Sequence, residues 1–165
     1  MHDELLNLLK SALSTENKKV KLSVLGVGSD LRADDAAGLL VVEALSKKMS
    51  KNIQLLYGAT APESLTGEIK KFAPTHLIVV DCADMKEKPG TINLIKEENI
   101  SGLSFSTHTL PLAIILDYLQ KSFKYVPLVI GIQPKNLEFC GEVSGEVKKA
   151  CKEVVETLLE ATKNL

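Results

Sequence analysis

Three short, nearly unbroken apolar runs constrain this chain more than any other feature: VKLSVLGV at 20–27, HLIVVDCA at 76–83 and PLVIGIQP at 127–134. Each is short for a buried helix and rich in aliphatic and β-branched residues, as a strand covered on both faces would be. NIQLLY at 52–57 and GTINLI at 90–95 read as two further strands. Between them lie stretches with helical spacing. AAGLLVVEALSKKM, 36–49, is apolar almost all round and must be well covered. Pro62 and Glu63 open a helix through about Phe72, with proline near the first helical position and an acid in the first turn. THTLPLAIILDYLQKSF, 107–123, reads as a helix with Pro111 in its first turn. Val143, Val147, Ala150, Val154 and Leu158 stripe a C-terminal helix. At the other end, residues 3–14 place Leu5, Leu9 and Ala12 on one helical face with Leu6 and Leu13 beside it, an amphipathic helix packed outside the main fold. Strands alternating with helices predict an α/β protein: a three-layer α/β/α sandwich with a twisted, mostly parallel sheet.

With 165 residues the chain reads as one domain, able to bury about 70% of its unfolded surface. A formal net charge of -1 gives no electrostatic reason to expect nucleic acid or an anionic membrane, and 4% aromatic residues weaken any base-stacking reading. Cys82, Cys140 and Cys151 are odd in number and lack CxxC spacing, which fits a reducing compartment. No apolar run approaches about 18 residues, and the N-terminus has no uninterrupted apolar segment, so neither a membrane span nor a signal peptide is expected. The expectation is a cytoplasmic protein.

In such folds ligands collect beyond the carboxyl ends of the strands, near the point where strand order reverses. The first strand runs there into GVGSDLRADDAAG, 26–38, which begins like a phosphate loop and then presents Asp30, Asp34 and Asp35. A dinucleotide fingerprint needs glycine where Leu31 stands, and three aspartates would repel a pyrophosphate. Serine hydrolysis fares no better: no GxSxG occurs, and Ser29 or the serines of GLSFS lack the second glycine of a nucleophile elbow. A Cys–His pair built on Cys82 stays open, although a lone cysteine beside an apolar strand is more often a small buried residue.

A third constellation joins several strand ends. The first strand delivers Asp34 and Asp35, the HLIVVDCA run delivers Asp81, and the FSTHTLP loop delivers His108. Two carboxylates and an imidazole on one rim make a partial coordination sphere for a divalent transition metal with positions left open. Asp34 is the expected N-cap of the helix that follows, because adjacent residues do not easily face one ion. Asp35 reads equally as a ligand or as a first-turn acid complementing the helix dipole. His76 belongs to the opposite edge of the sheet and reads as structural.

With these residues assembled, the chain resembles the nickel-iron hydrogenase maturation endopeptidases, most closely the type serving membrane-bound hydrogenase 3-like complexes. The resemblance rests on LGVGSDLRADDAAG, GATAPES, PTHLIVVDCADM, KPGTINLI, STHTLPL and GIQP, in that order, over roughly residues 20–160. It implies a single maturation-protease domain over 1–165, with residues 1–19 as a helical extension and linker. It implies an endopeptidase that removes a C-terminal extension from a hydrogenase large-subunit precursor once nickel is inserted. It also implies Asp35, Asp81 and His108 as the metal-contacting and catalytic residues. Nickel would be carried in by the precursor, with other divalent metals able to occupy the site. The enzyme would be a monomer, and hydrolysis would use either a metal-polarised water or carbonyl, or a carboxylate as general base. Two positions depart from the family pattern: Ser29 replaces an asparagine, and Tyr57 stands where an aspartate often precedes the next glycine. The competing class is a metal- or nucleotide-binding α/β module without hydrolytic activity.

Overall fold

The computed structural model describes residues 2–14, 19–50, 52–95, 97–100, 103–105 and 111–165. Among the described residues, six strands and six α-helices follow one another as α1 (His2–Leu13), β1 (Leu22–Val27), α2 (Ala37–Ser46), β2 (Gln54–Ala59), α3 (Thr66–Phe72), β3 (His76–Asp84), β4 (Ile92–Ile95), α4 (Glu97–Ile100), β5 (Ser104–Phe105), α5 (Leu112–Ser122), β6 (Val126–Ile132) and α6 (Gly145–Ala161). Short 3-10 turns, Ala33–Ala36 and Pro62–Leu65, lead into α2 and α3.

The sheet has the order β2-β1-β3-β6-β4, and β5 adds a short antiparallel pair at the end of β3. β2, β1, β3 and β6 are parallel, and β4 closes one edge antiparallel to β6. Helices α1, α2 and α6 cover one face through Leu9, Val41, Leu45, Val154 and Leu158. Helices α3 and α5 cover the other through Ile69, Ile115 and Leu119. This is the expected three-layer sandwich, and burial on both faces explains why β1 and β3 read as unbroken apolar runs.

Several boundaries differ from expectation, each for a local reason. β2 starts two residues later than Asn52, after Ile53 N–H bonds Ser50 carbonyl, and runs on to Ala59. Pro111 sits outside α5 as its N-cap, with ψ of 136°, because a proline that opens the helix leaves its own carbonyl for Ile114 and Ile115. Val143 precedes α6, whose first turn is instead capped by Ser144, the hydroxyl oxygen of which accepts from Val147 N–H. Helix α1 shares its cluster of buried side chains with the sheet, α2 and α6, so Leu5, Leu9 and Leu13 are core residues of the domain. Among the described residues no helix is long and apolar enough to cross a membrane.

His76 lies at the amino end of β3, away from the crevice, as expected. It is buried, its Nε2 bonds the Ala12 carbonyl at 3.0 Å, and its Nδ1 meets the Thr75 hydroxyl at 2.8 Å. Burial holds its pKa below the ordinary histidine value, and the Ala12 bond opposes this only in part. The unfolded chain therefore takes up a proton near pH 6.5 that the native state refuses. Stability should be fully present above that pH and fall on acidification, by at most ~1.4 kcal/mol per pH unit, until the folded-state value is reached. Urea unfolding at pH 7.5, 6.5 and 5.5 checks this, and His76→Gln should flatten that part of the slope.

Candidate metal centre

Strand order reverses between β1 and β3, which lie side by side while their connections leave in opposite directions. Pairing of β1 with β3 runs from Leu22–His76 to Gly26–Val80 and stops there. Asp81 is thus the first β3 residue beyond the point where β1 peels away. It lies within β3, not at its end, because β6 continues the ladder through Asp81–Gly131 and Cys82–Ile132. Its side chain is fully buried and Oδ1 accepts from Cys82 N–H at 2.7 Å.

The glycines beside it make helix α2 approach the strands as backbone on backbone. A Cβ on Gly26 would stand 2.3 Å from the Gly38 carbonyl, and one on Gly38 would stand 2.2 Å from the Val80 carbonyl. These glycines serve close packing, which answers why a phosphate-like loop carries acids. Gly28 serves a different purpose, since at φ +137° its Cβ position falls 1.8 Å from the Asp35 carbonyl oxygen. That contact lets Ser29 N–H donate to the Asp35 carbonyl at 3.2 Å and fixes the Asp35 backbone. Ala33, Ala59 and Cys140, at φ of 47°, 47° and 58°, adopt left-handed conformations around the same loop. Such residues cost about 1–2 kcal/mol each outside glycine and cluster where a site over-determines them. Gly28 N–H bonds the Ala59 carbonyl, and Cys140 N–H bonds the Leu31 carbonyl, so all three belong to one frame.

Asp34 and Asp35 lie inside the 3-10 turn and neither caps a helix; the turn and α2 have no side-chain cap. The expected N-cap role of Asp34 is therefore corrected. Its fully buried carboxylate reaches across to the segment between β6 and α6: Oδ1 accepts from Ser144 N–H at 2.6 Å. Oδ2 accepts from Lys135 N–H at 2.8 Å, Asn136 N–H at 2.9 Å and the Ser144 hydroxyl at 3.0 Å. Burial pushes its pKa up, but these donors together hold it below the ordinary carboxylate value. This is a charged staple, and a local reading of helix starts had no means of finding its partners about a hundred residues away.

Asp35 is also fully buried. Burial raises the Cys82 thiol far above its usual range, and Asp81, Asp35 and Asp34 then raise it further, in that order. The buried thiol, in an acidic surrounding, stays protonated and is a poor nucleophile. The cysteine-nucleophile reading falls with it. Cys151, on α6, is likewise buried and pushed up to about 12. The turn that carries Asp35 packs against β3, which carries Asp81, whereas His108 lies outside the described residues. Among the described residues no three His, Cys, Asp or Glu side chains are arranged to hold a metal ion. Two buried oxygen donors from separate elements fit a divalent cation in charge and hardness, and further ligands must complete its shell. Of the two departures from the family pattern, Ser29 is buried, and its hydroxyl oxygen lies 3.3 Å from Leu31 N–H as acceptor. Tyr57 is exposed at the rim.

Comparison with known proteins agrees with this geometry. Residues 39–161 match the sequence profile of the HycI hydrogenase maturation proteases. A Methanocaldococcus jannaschii protein, named as a hydrogenase maturation protease by inference, is 40% identical over 153 residues, covering 88% of this chain and 90% of its own. The hydrogenase 3 maturation protease of Escherichia coli K12 is 32% identical over 136 residues, covering 82% and 86%. The crystal structure of the nickel-iron hydrogenase maturation protease HycI from Thermococcus kodakarensis superposes with a TM-score of 0.84 at 28% identity, over 95% of this chain and 99% of that one. With the profile matched across most of the chain, and the fold shared nearly end to end, this protein belongs to the hydrogenase maturation protease family and is a peptide hydrolase.

Proposed function

We propose that this protease removes a C-terminal extension from a nickel-iron hydrogenase large-subunit precursor after nickel insertion, and that it senses the inserted nickel directly. The observation that carries the reading is the pair of fully buried carboxylates, Asp35 and Asp81, carried by a turn after β1 and by β3, which pack together beside the point where strand order reverses. Two carboxylates are an incomplete shell, which suits an ion that arrives with ligands of its own. In this reading Asp35, Asp81 and His108 complete the coordination of nickel held by thiolates of the precursor. The ion bridges enzyme and substrate, so cleavage awaits a loaded precursor. Soft thiolates hold nickel more tightly than a carboxylate-rich site, so the ion leaves with the mature subunit. The enzyme acts as a monomer in the cytoplasm, where its three free cysteines suit a reducing compartment.

The test incubates the purified protein with the precursor, with and without nickel, and follows release of the C-terminal peptide by mass spectrometry. Release from the loaded precursor alone is expected. No release from it would overturn the protease reading for this substrate, and equal release from both would overturn nickel sensing.

A further inference from the structure

One short stretch, GIQPKN at 131–136, is bonded to both elements that carry the candidate metal carboxylates. Its first two residues end β6, where Gly131 and Ile132 pair in register with Asp81 and Cys82 on β3. Its last two, Lys135 and Asn136, donate their N–H groups to Asp34 Oδ2. The Asn136 carbonyl also accepts from Asp34 N–H at 3.1 Å, one residue before Asp35. Between these attachments stand Gln133 and Pro134. Proline fixes its own φ, so the link is short and stiff. Gln133 is buried, and it grips the connection that leaves β3. Its side-chain oxygen accepts from Met85 N–H at 2.7 Å and Glu87 N–H at 3.2 Å, and Nε2 donates to Asp84 Oδ1 at 3.3 Å. The main chain is tied to the same connection: Gln133 N–H donates to the Thr91 carbonyl and Gly90 N–H to the Gln133 carbonyl, both at 2.9 Å.

This is the part of β3 that most needs holding. β1 pairs with β3 only as far as Val80, so Asp81 begins an overhang. Among the described residues, the strands that support it are β6, through Cys82, and the short β5, at Ala83 and Asp84. Gln133 takes hold at Met85, directly beyond both ladders. Two carboxylates on separate elements can share one ion only while each stays within about 0.5 Å of its place. The bonds of Gln133 fix one of those elements, and its neighbours Lys135 and Asn136 fix the other. Resting on the reading of Asp35 and Asp81 as metal-contacting residues, we propose that Gln133 is a positioning residue for cleavage, holding the Asp81 end of β3 against the segment that staples the Asp35 turn. It acts through Asp81 and not on the substrate.

Two arms test this. Gln133→Met keeps the length of the side chain and removes both its acceptor and its donor. With nickel-loaded precursor, kcat is expected to fall about 10- to 100-fold while KM stays level, the scale found when supports of metal ligands are changed. An unchanged kcat, or a rise in KM alone, overturns the proposal. Gln133→Glu keeps an oxygen for Met85 and Glu87 but sets a carboxylate against Asp84, and it should also lose activity. Adding Asp84→Asn reverses donor and acceptor in that one contact and should recover most of the lost kcat. Failure to recover it overturns the proposal as well, and this comparison stands even where Gln133→Met does not fold. The second arm follows amide NMR shifts of the same isotope-labelled variants. Shifts are expected at Cys82, whose N–H bonds the Asp81 carboxylate at 2.7 Å, and at Ser29, whose N–H bonds the Asp35 carbonyl at 3.2 Å. Shifts confined to residues 84–91 would mean that Gln133 merely holds its own loop, and would overturn the positioning role. This arm needs no cleavage, so its failure is distinct from that of a wild-type enzyme that releases no peptide.

Discussion

Asp35→Asn is expected to reduce cleavage of a nickel-loaded precursor by at least about 10²-fold while the protein stays folded. Residues that merely orient metal ligands already cost 10- to 100-fold when changed, and a ligand should cost no less. The fold should tolerate the substitution for a specific reason. Asparagine keeps the volume of a fully buried side chain and removes one of the carboxylate charges that bear on the Cys82 thiol. Like charges in a buried crevice raise one another's energy, so the melting midpoint should stay level or rise. Asp81→Asn should behave alike, and His108→Ala should also block processing. The decisive pair of measurements is peptide release and thermal melting on the same preparations. Normal cleavage by Asp35→Asn with a native melt would remove that residue from the site.

Replacement of the neighbouring residue should do the opposite. Asp34→Ala is expected to cost about 3–5 kcal/mol, a large part of the about 5–15 kcal/mol that holds such a domain together. Three backbone N–H groups, of Lys135, Asn136 and Ser144, and the Ser144 hydroxyl all converge on this one carboxylate. Removing it strands these part-buried donors, and each carries its own desolvation penalty. Ser144 also caps α6, so the loss reaches the helix that buries Val147, Val154 and Leu158. Asp34→Asn retains one acceptor oxygen and should fall between. Urea unfolding reads the effect as a shift in midpoint at constant slope. A loss below about 1 kcal/mol would show that the segment after β6 holds itself in place without Asp34.

The contrast between two adjacent aspartates also shows where sequence reading stops. Strand identity was legible wherever both faces of the sheet are covered: β1 and β3 appear as apolar runs because every residue of β1 is buried. β2 was misplaced by two residues, since Gln54 and Leu55 at its start are only partly covered and Tyr57 is exposed, which breaks the pattern. Ser104–Phe105 and Glu97–Ile100 are too short to leave any periodic signal. The switch-point rule pointed to Asp81, whereas Asp35 read equally as ligand or first-turn acid until the family resemblance made it the ligand candidate. Nothing local separated the ligand candidate from the staple, because Asp34 finds its donors at residues 135, 136 and 144.

What the sequence determined by itself is the layered α/β architecture and the family, through patterns that local chemistry imposes: apolar runs, helical stripes and glycines where backbone must approach backbone. What only the tertiary structure decided is which charged groups are satisfied. Asp34 is held by donors from a distant segment, while Asp35 and Asp81 are fully buried on a turn and a strand that pack together. The reason is physical: the energy of a buried charge is set by the partners and solvent around it, and those are brought together by the fold rather than by neighbours along the chain.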